Sequence, residues 1–197
     1  MAENPYLVLS AFDPLPRASE TERDIPRPTG VSILAVLHII GGIVLIGVQF
    51  LMFANRDAME ESLRTIGVSS ISVVIGVMFL SVLAIASGVG MWLGTRWGWW
   101  LATFYYVHSI FGNAMALVTV ASLADQLDDA THGPKYYFMK HGGRIIVHFL
   151  LLLYFFRPNV LEFFALGHLS KPKAIGIQVG LCIAIVAFTS AMSLLAS

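Results

Sequence analysis

Charge is what this sequence has least of. Only 12% of its 197 residues are charged, against 57% hydrophobic, and the mean hydropathy is +0.77. A soluble domain carries roughly 25% charged residues, so half that amount leaves too little polar surface for water. The shortage is also patterned. No Asp, Glu, Lys or Arg occurs between Arg64 and Arg96, between Arg96 and Asp125, or after Lys173. Uncharged apolar runs of about 20 residues are the signature of membrane-crossing helices.

Other absences narrow the function. The net charge is zero, so no basic face invites nucleic acid. One cysteine, Cys182, rules out an internal disulfide, every multi-cysteine metal motif and a covalent c-type haem; in its apolar run it reads as a small core residue. There is no P-loop, no G-x-G-x-x-G after a strand, no H-E-x-x-H and no G-x-S-x-G. The apolar runs carry no acidic residue, which proton-coupled transporters commonly use. Inverted repeats and Gly/Pro-broken helix pairs, the marks of many transporters, are likewise missing.

What is present organises the chain as an all-α membrane bundle. Residues 1–29 hold five prolines and mixed charge and read as a disordered or surface-lying tail. Residues 30–197 read as a transmembrane helical domain with spans over about 31–53, 68–93, 97–123, 138–156 and 174–195. Pro28 and Thr29 suit the start of the first span, which is too long for a signal-peptide core and is expected to be retained. Glu60 and Glu61 can pair with Arg64 on a short interfacial loop helix. The strictly apolar part of span four, Ile145–Phe156, covers about 18 Å. It therefore starts earlier, near Tyr136, or does not cross fully, so the alternative to five spans is four plus a short or re-entrant helix. An interfacial amphipathic helix is expected over about 158–166, with Pro158 in its first turn and Gly167 as its stop.

Small residues mark where helices touch, because apolar burial gives helices no reason to associate in lipid and close packing must supply it. The packing candidates are Gly41 and Gly42 on span one, Gly90 and Gly94 on span two, and Gly112 on span three. Gly176, Gly180 and Ala184 repeat every four residues on span five. Only Gly94, Thr95 and Arg96 separate spans two and three, which predicts a tight antiparallel hairpin. Its "RWGWW" puts Arg96, Trp97, Trp99 and Trp100 at headgroup depth as interface anchors. With the N-terminus cytoplasmic, seven basic residues (Arg17, Arg23, Arg27, Arg96, Arg157, Lys171, Lys173) face inside and five (Arg56, Arg64, Lys135, Lys140, Arg144) face outside, the sense of the positive-inside rule.

The stretch "RPTGVSILAVLHIIGG", with Arg27, Pro28, Gly30, Val31, Ser32, Ile33, Leu34, Ala35 and Leu37 followed by Gly41 and Gly42, resembles the first helix of small bacterial multi-spanning inner-membrane proteins. These begin R-P-x-G-V-S/T-I-L-A-x-L and continue with a glycine pair. "RWGWWLA" is similar to their tryptophan-rich turn, and "LLYFFRPNVLEFF" to their last apolar segment. The resemblance covers about half of the chain. It implies a multi-pass protein of the bacterial inner membrane and carries over no catalytic residue.

Three histidines, His38, His108 and His148, lie inside spans, where ionisable side chains are rare and count as functional candidates. Measured from one face they fall within about 5 Å of one depth. His38 shares a side with Gly41, Gly42 and Gln49, and His108 with Gly112 and Ala116, so both are expected to face inward. His148 continues a stripe with His141 and Arg144. One sharp reading is bis-histidine ligation of haem b, with Arg144 near a propionate; another is a metal or proton-relay site. The plain reading is neutral imidazoles hydrogen-bonded across helices, to each other, to Asn113 or to a carbonyl. Asp125, Asp128, Asp129 and His132 share one face of a continued helix and form a second metal candidate.

Three functions follow. The first is a non-enzymatic multi-pass protein working through helix packing as a structural, accessory or assembly subunit, in a homo-oligomer or a larger membrane complex. The second is a haem- or metal-binding redox protein. The third is a small-solute or ion transporter.

Overall fold

A computed structural model describes residues 26–56, 60, 70–124 and 133–195. The described residues contain helices and no strand. In chain order they are α1 (Thr29–Ala54), α2 (Ser70–Trp92), α3 (Arg96–Ser122), α4 (Pro134–Phe155), α5 (Pro158–Phe163) and α6 (Lys171–Leu195). Four of them, α1 to α4, are long and apolar enough to cross a membrane. The question over span four is answered by its start: Pro134 stands in the first turn of a 22-residue helix, about 33 Å long at 1.5 Å per residue. Residues 1–25 of the N-terminal tail, Glu61 and Arg64 lie outside the described residues, and Glu60 is bonded to Arg56 at 2.6 Å.

Surface and interior invert the pattern of a water-soluble bundle. Ile33, Leu37, Ile40 and Ile43 on α1 and Ile146, Leu150 and Leu153 on α4 are each more than half exposed. His38, Gln49, Ser81, Ser87, Thr103 and Gln178 are buried. So much contiguous apolar surface is intolerable in water and natural in acyl chain.

The helices pack in sequence, α1 along α2, α2 along α3 and α3 along α4, with α6 also against α3. Between α1 and α2 the backbones nearly touch. A Cβ at Gly42 would meet the Ser81 carbonyl at 2.8 Å, and one at Gly88 would meet the Ala35 carbonyl at 2.8 Å. The α2–α3 hairpin is tighter still. Gly94 takes φ +66°, and the amides of Gly94 and Thr95 bond back to Met91 and Gly90 at 3.2 and 3.0 Å. That is the Schellman ending in which glycine is favoured. Thr95 then opens α3, its hydroxyl accepting from the Gly98 amide at 3.3 Å while donating to the Gly90 carbonyl at 3.0 Å. Within this hairpin a Cβ at Gly98 would run into the Gly90 backbone.

Two expectations about local structure are corrected. The helix at 158–163, expected to run to about 166, is stopped by a left-handed Ala165 rather than by Gly167. Ala165 adopts φ 54°, and the bonds Leu166 N–H to Leu161 O (2.7 Å) and Ala165 N–H to Glu162 O (2.9 Å) complete a Schellman turn. Leu161 and Leu166, the positions that an apolar contact commonly joins across such a turn, are both buried. Trp99 is no interface anchor: it is 0% exposed. Its Nε1–H donates to the Phe155 carbonyl at 3.0 Å and its ring meets Trp100 and Phe156 edge-on. That carbonyl lies at the C-terminus of α4, where helix carbonyls lack helical partners, and the indole satisfies one of them. Trp97 is 45% exposed, and Arg96 is exposed with Trp100 half-buried.

Candidate functional site

His38 is the most deeply set of the candidate histidines, 8% exposed on the face of α1 that also buries Val31, Ala35, Gly42 and Gln49. Both ring nitrogens are engaged. Nδ1 lies 2.7 Å from Ser87 Oγ on α2, and Nε2 lies 2.8 Å from the Tyr106 hydroxyl on α3. The Ser87 hydroxyl donates its single hydrogen to the Ala84 carbonyl at 2.9 Å, so Ser87 Oγ can only accept from the imidazole. On this bonding we assign the tautomer in which His38 Nδ1–H donates to Ser87 and Nε2 accepts from the Tyr106 hydroxyl. One side chain thereby fastens three helices.

α1 and α4 approach each other where the Tyr154 hydroxyl lies against Gly30. Toward the middle of the bundle a cavity of about 410 Å³ lies between them, lined by His38, Tyr105, Tyr106 and His148 together with aliphatic side chains. The ring of Tyr105 lies 4.8 Å from that of His38 and 6.2 Å from that of His148, and Tyr106 lies 6.0 Å from His148. His148 Nδ1 is 2.7 Å from the Arg144 carbonyl one turn earlier. A carbonyl only accepts, so Nδ1 carries the hydrogen, and in the neutral ring Nε2 is a lone pair.

The structure therefore brings His38 and His148 to one cavity and sets His108 elsewhere. His108 is two residues past Tyr106, roughly 200° around the helix. It stacks on Phe104 with centroids at 5.8 Å and meets Phe79 edge-on at 6.0 Å, and its buried Nδ1 has no hydrogen-bond partner. His141 Nδ1 lies 2.9 Å from Asn113 Oδ1, joining α4 to α3. Arg144 is exposed. Asp125, Asp128, Asp129 and His132 lie outside the described residues, among which no group of three or more His, Cys, Asp or Glu could hold a metal ion.

The expected packing glycines divide. Gly42 and Gly90 sit at helix contacts, and Gly94 sits in the α2–α3 turn against Phe163. Gly41, Gly112, Gly176 and Gly180 have nothing within 4 Å of a Cβ, and Ala184 is exposed. Within this chain the seam of α6 is a different stripe, Ala174, Gln178 and Cys182, each 2% exposed or less. Gln178 donates to Thr103 Oγ1 of α3 at 2.5 Å. A polar side chain that needs a partner fixes the helix rotation here, and the small-residue stripe turns outward.

Tyr106, Ser87, Gln178 and Gly98 carry the site and its support beyond the residues read from sequence. Gln178 had a visible signal, as the one amide in the apolar run that follows Lys173. Gly98 is masked by the tryptophans around it. Comparison with family models, with curated proteins and with solved structures returns no match.

Proposed function

We propose that this chain is a five-span protein of the bacterial inner membrane, N-terminus cytoplasmic, that acts without catalysis as a packing, accessory or assembly subunit. α6 is the fifth span, and α5 rests at the interface with its apolar side against the bundle. The resemblance of Arg27–Gly42 to small bacterial multi-pass proteins and the placing of basic residues support this reading.

The observation that carries it is the bonding of His38. A histidine built for chemistry keeps a ring nitrogen for substrate, metal or proton; His38 gives both to neighbouring helices. Bis-histidine haem ligation by His38 and His148 would break the bonds to Tyr106 or Ser87 first. Transport would need a path through the end of the bundle where Trp99, Phe155 and Phe164 are all 0% exposed.

His38→Phe keeps the ring volume and strands the Tyr106 hydroxyl, a loss of about 1–3 kcal/mol, read as a lower melting temperature of the purified protein in detergent. A Soret band, or a stoichiometric metal removed by His38→Phe, would overturn the reading in favour of redox chemistry. Reporter fusions after Ala54 and after Thr95 test the orientation: outside for the first, cytoplasmic for the second.

A further inference from the structure

The cavity between α1 and α4 has a chemistry of its own. Its walls are aliphatic, with Leu34, Leu37 and Val44 from α1 and Leu151 from α4. Leu37 and Val44 are also 57% and 56% exposed on the bundle surface, so the cavity adjoins whatever surrounds the helices. If α1 and α4 span the bilayer, as proposed above, that surrounding is acyl chain, and an occupant must be lipid-soluble.

The floor is polar and unbalanced. In the neutral ring His148 Nε2 is a lone pair, because the Arg144 carbonyl, 2.7 Å from Nδ1, can only accept. In the tautomer assigned above, the Tyr106 hydroxyl donates to His38 Nε2, 2.8 Å away, and its oxygen can accept one more hydrogen. These two groups are acceptors, and a donor complements them; the Tyr105 hydroxyl on the same wall is hydrogen-bonded to Ser109. Phosphate and carboxylate groups, which accept, would meet lone pairs. Three further rings, of His38, Tyr105 and Tyr106, stand within 4.8–6.2 Å centroid distance of one another or of His148, which favours an aromatic occupant in edge or offset contact. The volume, about 410 Å³, falls in the range of small-molecule sites and suits one ring with the first carbons of a tail.

We propose that this cleft binds a lipid-soluble phenol, its hydroxyl donating to His148 Nε2, its ring against Tyr105 and Tyr106, and its tail leaving between α1 and α4. Gly41 lines the same cleft and has nothing within 4 Å of a Cβ, which keeps the entrance open.

The full chain in lipid nanodiscs is equilibrated with 4-nonylphenol or with its methyl ether, 4-nonylanisole, and binding is taken as the excess over empty nanodiscs. The phenol is expected to bind about tenfold more tightly than the ether, the worth of one hydrogen bond. His148→Phe brings the phenol down to the ether's level, whereas His108→Phe, outside the cleft, leaves both unchanged. Gly41→Leu fills the entrance and abolishes binding of both compounds. Equal binding of phenol and ether, no excess over empty nanodiscs, or an equal loss in His108→Phe overturns the proposal. Melting temperature and particle size, followed in the same samples, report separately on the packing role, which stands if they hold while binding fails.

Discussion

The two ends of the bundle are built differently. At the end where α1 begins, Arg27 donates from Nη2 to the Trp92 carbonyl at 2.6 Å, its guanidinium 4.8 Å from the Trp92 ring. It thus satisfies an orphan carbonyl and complements the negative end of the α2 dipole. Around it Trp99, Phe155, Val160 and Phe164 are all 0% exposed, and α5 folds back over the helix ends. At the other end a cavity of about 480 Å³ separates α1 from α2, with Gln49, Phe53 and Val74 among its lining residues. Gln49 Nε2 donates to the Val74 carbonyl at 3.1 Å, and its Oε1 is buried with no partner. One end is closed by aromatic rings and backbone contact; the other is held by side chains that reach across a gap. The lesson is that stability and openness are separated along the helix axis, with His38 at the junction between them.

This contrast can be broken or sharpened by mutation, read as thermal stability in detergent. Trp99→Ala removes a fully buried ring and its hydrogen bond and is expected to lose about 3–5 kcal/mol. Phe53→Ala, at the open end and 72% exposed, should change stability by no more than about 0.5 kcal/mol. Equal losses would erase the distinction. Next in size, Gly98→Ala drives a methyl into the Gly90 backbone and should lose about 1–3 kcal/mol. The same change at Gly142, which has nothing within 4 Å, should be neutral or gain up to about 1 kcal/mol from helix propensity. The smallest effect is a gain. Ala165→Gly relieves a left-handed alanine at the closed end and should add about 0.5–1 kcal/mol; a loss there would mean that the Ala165 methyl makes a contact worth more than the strain.

Much of the helix layout was legible. The Gly94–Thr95 turn follows from three residues between two apolar runs, and the start of α1 follows from Pro28 and Thr29, whereas α4 starts at Pro134, before the expected Tyr136 or residue 138. The site was legible only in part. His38 and His148 stood out as imidazoles in oil, but so did His108, which shares neither partner nor cavity with them. A depth estimate counts residues from the membrane face and takes no account of rotation about the helix axis. The glycines misled for a related reason: Gly180 and Gly88 look alike in sequence, yet one faces outward and the other lies against a backbone carbonyl.

By itself the amino-acid sequence determined which segments are helical, the turn at Gly94–Thr95, and that α1 to α4 are apolar enough to cross a membrane, because turns and hydropathy are local properties. Only the tertiary structure decided which face of each helix is inside, and so which histidine opens on a cleft and which glycine bears a contact. The reason is physical. Lipid tails are as apolar as the bundle core, so no alternation of oil and water along the chain marks the buried side. Facing is settled instead by three-dimensional matches between groups far apart in sequence, such as Trp99 with Phe155, Gln178 with Thr103, and His38 with Ser87 and Tyr106.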